Sequence, residues 1–476
     1  MTGSLFWYDF ETTGVDPARD RAIQFAGVRT DTSLNVIGEP VNLFCRPGND
    51  TIPAPGAMQV TGIMMSELQQ RGLPETAFIG KIHEAFSVPN TCVTGYNSIR
   101  FDDEFTRYTL YRNFLDPYAR EWQSGNSRWD VIDLFRMAHA LRPEGFEWPK
   151  HEDGTPSFRL EQLTAANQIS HMDAHDAVSD VLATIDITRK LKAAQPRLYD
   201  FLYQLRLKRH VLDQLYPLGK SAVVHVSSMY PARQNCLAVV LPLCVHPGNS
   251  NGVICFDLAA DPGLLTDLTA SEISQRIFTS NAELAAQGLE RVPLKTIHIN
   301  RCPAVAPLTT LRGQEARLGV DLALCQRHMR QLQTSGGVVE KLTEVFAANQ
   351  FEMTEDPDLM LYQGDFFTAA DRETMRELRS LDPARLAGFS NSFMDPRLPE
   401  MLFRYRARNF PETLSPEERK AWDDWRWAQW NSGAVLTETR AEINRLQATQ
   451  GESPCLSDLA RYLDELERPF LQDSEH

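Results

Sequence analysis

The 476 residues exceed what one hydrophobic core ordinarily supports, so two or three domains are expected. A composition of 42% apolar and 23% charged residues is that of a globular protein, and the net charge of −15 excludes a general nucleic-acid coat while leaving local basic patches open. The longest apolar run, 236–245, is too short to cross a bilayer, the N-terminus lacks a signal-peptide pattern, and the eight cysteines include no C-x-x-C pair, so a cytoplasmic protein with reduced thiols and no membrane contact is expected.

Residues 1–195 alternate strand and helix signals. Runs 5–10, 21–30 and 36–45 predict three strands, 75–86 a helix, 91–97 a strand and 101–115 a helix; helical patterns follow at 130–141, 159–167 and 174–194. This is an α/β layout with a mixed sheet, and Gln195-Pro196 ends its last helix. From about 215 to 305 short β runs take over, at 221–228, 236–246, 252–258 and 294–303, with one helical insertion at 270–278. Beyond about 350 helix starts dominate. Thr368 to Asp371 and Ser415 to Glu418 both carry capping-box spacing, the second with Pro416 at the first helical position. Three sections are expected, 1–195, 196–350 and 351–476.

Asp9 and Glu11 close the first predicted strand. Two apart on a strand, they project from one face roughly 6–7 Å from each other. Two anions that close are costly unless a cation shares them. Further along, Asp102 and Asp103 follow a strand and turn that hold Asn97 and Phe101, and His175 and Asp180 open a helix for which Asp173 is a candidate N-cap. Each signal alone reads as a cap or a surface group. His171 and His175 have helical i, i+4 spacing, but no third zinc ligand lies near them.

Together, Asp9-x-Glu11, Asn97-x-x-x-Phe101-Asp102 and His175-x-Ala177-x-x-Asp180 form an ordered set that resembles the DEDDh family of 3′→5′ exonucleases. The blocks "YNSIRFDDE", "NSRWD", "LRPEG", "PSFRLE", "AHDA", "HINRCP" and "YRARNFP" spread over most of the chain and resemble the exonuclease I family of single-strand-specific DNA exonucleases. The resemblance implies a ribonuclease H-like α/β exonuclease domain, an SH3-like β-rich domain and a C-terminal helical domain, the last two closing a C-shaped channel. It implies two Mg²⁺ ions per site, with Mn²⁺ able to substitute. Asp9 would bridge both ions, Glu11 and Asp180 complete the nucleophile-side ion, and Asp102 support the other. Hydrolysing a phosphodiester needs a nucleophile from water and charge relief at the phosphoryl and leaving oxygens, which two divalent ions held by carboxylates can supply. His175 is the expected general base, since a near-neutral imidazole takes a proton at working pH. Asp103 and Asp176 are expected beside the set, not in it.

A single strand needs a cationic track and stacking platforms. Tyr118 and Trp122, four apart, are expected on one helix face beside Arg107, Arg112 and Arg120, and Arg189–His210 holds seven Lys/Arg against Asp200, a local net of 7 − 1 = +6. The resemblance marks Glu11, Arg107, Tyr118, Trp122, Arg136, Arg159, Lys208, Asn251, Lys295 and His298 as strand-contacting positions. It also implies docking of the acidic tail of single-stranded DNA-binding protein at Arg142, Phe201 and Arg312, where Phe201 replaces a tyrosine the family can carry. A monomer is expected. Trp422, Trp425, Trp427 and Trp430, at helical spacing, are expected to pack a core. Two rival functions are an exoribonuclease on the same core and an inactive exonuclease fold used for binding. The two added sections weigh against the first, and five intact ionisable groups against the second.

Overall fold

The computed structural model describes residues 3–171, 176–347, 354–432 and 434–472. Six strands, β1 (Ser4–Thr12), β2 (Ala22–Thr30), β3 (Val41–Arg46), β4 (Leu73–Pro74), β5 (Thr91–Gly95) and β6 (Ser127–Asp130), form a mixed sheet in the order β4-β3-β2-β1-β5-β6. Strand β1 is central. It pairs antiparallel with β2 and parallel with β5, and Leu5 to Tyr8 are buried on both of its faces, as central strands of α/β sheets are. The parallel pairing stops at Trp7 opposite Thr94, so Asp9 and Glu11 run on past the end of β5. At the end of β5 stands Gly95, where a Cβ would come within 2.7 Å of the Tyr8 carbonyl; only glycine lets the two strands close at that point.

Phe6, Tyr8, Phe10 and Phe25 of the sheet pack against the helix Glu75–Phe86 through Phe78, Ile79, Ile82 and Phe86. That spacing is one helical face, and full burial of each such side chain contributes about 1.5–3 kcal/mol. The expected strand 36–45 is shorter in the structure: its pairing begins at Val41, and Val36 makes only an isolated bridge with Thr30.

By contact density the chain divides into two compact units, Met1–Ser127 with Met172–Leu182 and Met353–His476, and Arg128–His171 with Ala183–Glu352. In the first, the C-terminal helices share a core with the N-terminal section: Leu456, Leu459 and Leu463 of Pro454–Gln472 meet Met58, Met65 and Leu68. The tryptophan-rich helix Pro416–Ser432 is structural. Trp422 and Trp430 are buried, Trp422 stacks on Trp425 at 4.9 Å, and Trp427 stacks on Phe470 at 4.7 Å. The capping box at Ser415 forms, Ser415 Oγ accepting from Glu418 N at 3.1 Å while Glu418 accepts from Ser415 N at 2.9 Å; at Thr368 the N-cap bond is present, Thr368 Oγ1 accepting from Asp371 N at 3.0 Å, and the Asp371 carboxylate accepts from the Thr368 hydroxyl at 2.8 Å.

The second unit carries a five-stranded antiparallel sheet, β7 (Val223–Val226), β8 (Leu237–His246), β9 (Asn249–Asp257), β10 (Leu294–His298) and β11 (Ala304–Pro307), in the order β10-β9-β8-β7-β11. Its middle strand is buried without interruption from Leu237 to Cys244. The four expected β runs form strands, but a fifth, β11, follows them, and the one expected helical insertion is three helices, Gly263–Thr266, Ala270–Phe278 and Asn281–Ala286. All eight cysteines are free and buried, and no described helix is long and apolar enough to cross a membrane.

Candidate active site

Asp9 and Glu11 leave β1 on one face, and Asp180, in the first turn of the helix Ala177–Ala194, comes to meet them. One carboxylate oxygen from each lies within 4.8 Å of the others. Asp102 opens the helix Asp102–Arg112 beside this group and is stitched to β1, its Oδ1 accepting the Phe10 N–H at 3.1 Å. Asp102 is 3% exposed.

The adjacent Asp103 has a different fate. Its Oδ1 accepts from Tyr8 Oη at 2.7 Å and from the Arg120 guanidinium at 2.7 Å, so its charge is already matched. Asp176 also stands beside the set: its Oδ2 accepts the Ser179 N–H at 3.1 Å, capping the helix, and its Oδ1 meets Gln24 Nε2 at 3.4 Å. Asp173 and His175 fall outside the described residues. Gln24, opposite Glu11 in the β1–β2 register, joins the edge of the group through Asp176, a contact that only the strand pairing reveals. His171 Nδ1 sits 3.2 Å from Thr164 Oγ1.

Burial first, and the neighbouring Asp180 second, hold the Asp9 carboxyl well above the usual carboxylate range. Burial, then Asp9, does the same to Asp102. Glu11 is pushed up to about 9 by burial and then by Asp9, Asp180 and Asp176. Among the described residues Asp9 and Glu11 enter no ion pair. Converging hard oxygen donors, each strained by its like-charged neighbours, fit a divalent cation: an ion there removes the repulsion that lifts these groups.

The expected strand-binding residues divide. Tyr118 and Trp122 do not share an α-helical face. Asp116 Oδ1 takes the N–H groups of Tyr118 and Ala119 at 2.8 and 2.9 Å, and the segment turns through the short 3₁₀ helices Ala119–Glu121 and Gln123–Gly125. Trp122 is nonetheless 65% exposed. The neighbouring arginines are not a free cationic wall. Arg112 pairs with Glu75 at 3.0 Å, Arg120 with Asp103, and Arg107 bidentately with Glu121 at 2.8 and 3.0 Å, with Glu104 and Tyr362 also on it; all three are buried. Only Glu75 comes from outside the stretch; Asp103, Glu104 and Glu121 stand in the same stretch as the arginines they neutralise. Arg107 instead stands over the Tyr118 ring, 5.3 Å from its centre.

In the second unit Lys208 Nζ donates to Asn251 Oδ1 at 2.6 Å, and His298 Nδ1 lies 3.5 Å from Asn249 Nδ2 on the next strand. Burial, then Arg301 and Lys295, lowers His298 to about 4, so it is a neutral ring at physiological pH. Lys295 is three residues earlier in β10, on the opposite face by strand alternation. Arg136 donates to Asp133 at 2.6 Å with its guanidinium 5.8 Å from the Phe158 ring, and Arg159 is exposed at the start of the helix Leu160–Ala166. Arg142 reaches the Thr310 carbonyl at 3.4 Å, in the turn that precedes the exposed Arg312, while Phe201 is half-buried on the helix Pro196–Gln204.

Three family models cover most of the chain: an exonuclease model over residues 6–188, the exonuclease I SH3-like domain over 206–348 and the exonuclease I C-terminal domain over 355–466. Exodeoxyribonuclease I of Haemophilus influenzae is 44% identical over 445 residues, 93% of each chain. Exonuclease I of Methylocaldum szegediense superposes with a TM-score of 0.93 at 49% identity, over 98% of this chain and 99% of that one. Exonuclease I of Escherichia coli in complex with a dA16 oligonucleotide gives 0.94 at 41% identity, over 98% and 100%, and has also been solved as a zinc-bound complex with single-stranded DNA. The exonuclease, SH3-like and C-terminal models follow one another along the chain, the relatives match over more than nine-tenths of it, and the chain belongs to the exonuclease I family.

Proposed function

We propose that the protein is a 3′→5′ exonuclease that processively hydrolyses single-stranded DNA to 5′-mononucleotides as a cytoplasmic monomer serving DNA repair and recombination. The observation that carries this is the meeting of Asp9, Glu11 and Asp180 within 4.8 Å, with Asp102 tied to the same strand. The crystallised relative bound to dA16 supports the choice of substrate.

Asp9, Glu11, Asp102 and Asp180 would hold two Mg²⁺ ions, or Mn²⁺ in their place. When bound, such ions relieve charge on the phosphoryl oxygens and leaving group and lower the pKa of water. His175 takes the proton of the attacking water. Tyr118 and Trp122 offer faces for bases, Arg107 contacts the strand and orients Tyr118, and Arg136, Arg159, Lys208, Asn251, Lys295 and His298 are further contacts to the strand. Glu11 would serve both as a metal ligand and as a contact to the strand. Arg142, Phe201 and Arg312 form the dock for the tail of single-stranded DNA-binding protein. In functional terms the sections are 1–195, 196–350 and 351–476.

The test is product analysis on end-labelled single- and double-stranded DNA, with a matched RNA oligomer, in Mg²⁺. Mononucleotides released from the 3′ end of the single strand alone are expected. Equal or faster digestion of RNA would move the substrate assignment to RNA.

A further inference from the structure

Two neighbouring carboxylates open the helix Asp102–Arg112, and the fold uses them differently. Successive side chains on a helix diverge by about 100°, so one contact cannot serve both. Asp102 accepts the Phe10 N–H at 3.1 Å and stands beside Asp9, whereas Asp103 accepts the Tyr8 hydroxyl at 2.7 Å. Strand β1 holds the start of this helix at two points, the Phe10 backbone and the Tyr8 side chain. One bond would leave the helix free to turn about it. Two bonds on diverging side chains fix both its rotation and its height along the strand.

The partners of Asp103 are themselves held. Tyr8 and Asp9 are neighbours on β1 and face opposite sides of the sheet, so the Tyr8 ring lies in the aromatic core while Asp9 joins the carboxylates. There the ring meets Phe86 edge-on at 5.0 Å and Phe10 at 5.8 Å. Arg120, carried by the short 3₁₀ helix Ala119–Glu121, donates to Asp103 at 2.7 Å with its guanidinium 5.1 Å from the centre of the Phe86 ring. Among the described residues Asp103 is the one carboxylate that Arg120 pairs with. Tyr8, Asp103 and Arg120 are all buried. A buried ion pair is a poor route to stability, because both charges must leave water and an apolar pair of the same size often does as well or better. What the charged pair supplies and the apolar pair does not is direction.

We infer that Tyr8, Asp103 and Arg120 are positioning residues for Asp102: they set the start of its helix so that the Asp102 carboxylate is aimed at the metal ions held with Asp9, Glu11 and Asp180. The inference rests on the proposal that these carboxylates bind Mg²⁺ or Mn²⁺. None of the three is a proposed ligand; they act by tying Asp102 in place. Supports of this kind are worth about 10–100-fold in metal affinity.

Mn²⁺ binding to the protein without DNA, read by electron paramagnetic resonance, tests this without turnover, alongside the melting temperature of each variant in EDTA. Tyr8→Phe removes one hydroxyl, leaves the Asp103–Arg120 pair whole and weakens Mn²⁺ binding at least about threefold. Asp103→Asn/Arg120→Met removes both charges together, so that neither is stranded, and weakens it at least about tenfold. In both, the Mg²⁺ concentration for half-maximal rate rises by a similar factor, while KM for DNA changes less than about twofold. Leu463→Ala, destabilised in the core shared by the two ends of the chain, keeps wild-type Mn²⁺ affinity. Wild-type Mn²⁺ affinity in either of the first two variants, or an equal loss in Leu463→Ala, overturns the positioning role. A wild-type protein that binds no Mn²⁺ overturns the metal proposal itself, which separates the two failures.

Discussion

Two groups of buried carboxylates in the first unit titrate in opposite directions. Asp9, Glu11 and Asp102 are raised, whereas Asp50, Glu75 and Asp358 are lowered. Burial alone raises all six. The difference is the company they keep. Arg408 binds Asp50 at 2.9 Å and Asp358 at 2.6 Å, Arg404 binds Asp358 at 3.1 Å, and Arg112 binds Glu75 at 3.0 Å. At the end of β1 the neighbours are other anions. One set already has its cations from the chain; the other is arranged to take them from solution.

The largest effect expected from breaking this contrast is at Asp9. Asp9→Ala reduces hydrolysis below about 1% of wild type, because the ions lose their shared ligand, while the melting temperature in EDTA stays level or rises. Activity and calorimetry on the same preparation check both halves, and a large loss of stability would mean that Asp9 is a structural group. Removing the proposed base leaves the carboxylates whole: His175→Ala should cost about 10²–10⁴-fold in single-turnover rate with an unchanged Mg²⁺ requirement. Its pH–rate profile from 5.5 to 9 should lose the limb near neutrality.

On the other side, Arg408→Met removes the cation that Asp50 and Asp358 share, leaving them, among the described residues, only Arg21 at 3.5 Å and Arg404 at 3.1 Å, and should cost about 3–5 kcal/mol in urea unfolding. A loss under about 1 kcal/mol would show that Arg21 and Arg404 suffice to hold the two carboxylates. Glu11→Gln should raise the Mg²⁺ concentration for half-maximal rate by about tenfold or more. In the wild type that concentration should fall as pH rises towards 9, since an ion must displace the Glu11 proton. The smallest effect is in acid. Carboxylates held below their ordinary range contribute stability that is complete above about pH 4 and lost as pH falls through their lowered values. Wild-type stability should therefore drop between about pH 4 and 2, and Asp358→Asn should flatten part of that slope.

Much of the site could be read along the chain because its signals are local. Strand alternation joins Asp9 to Glu11, the helix at 75–86 has the bounds its apolar spacing indicates, and Thr368 and Ser415 both cap their helices. What escaped the sequence is long-range. Arg408 meets Asp50 across 358 positions, and Trp422 donates to Asn49 across 373. No periodicity marks such partners. Arg107, Arg112 and Arg120 are a different case: Glu104 lies three residues before Arg107 at helical spacing, and Asp103 and Glu121 are in the same stretch, so its acidic residues weigh as much as its arginines. Tyr118 and Trp122 looked helical because four-residue spacing is seen before the turn made by Asp116.

The core that joins the two ends of the chain also sets a schedule for synthesis. Cys455 Sγ meets the Met58 carbonyl at 3.1 Å across 397 residues. At about 5–20 residues per second a ribosome needs roughly 20–80 s to travel that far. Throughout that interval Met58, Met65 and Leu68 have no helix to cover them. The nascent N-terminal section must stay in solution with this apolar face uncovered, so chains that stop short of about residue 454 should be prime targets for chaperones and proteases.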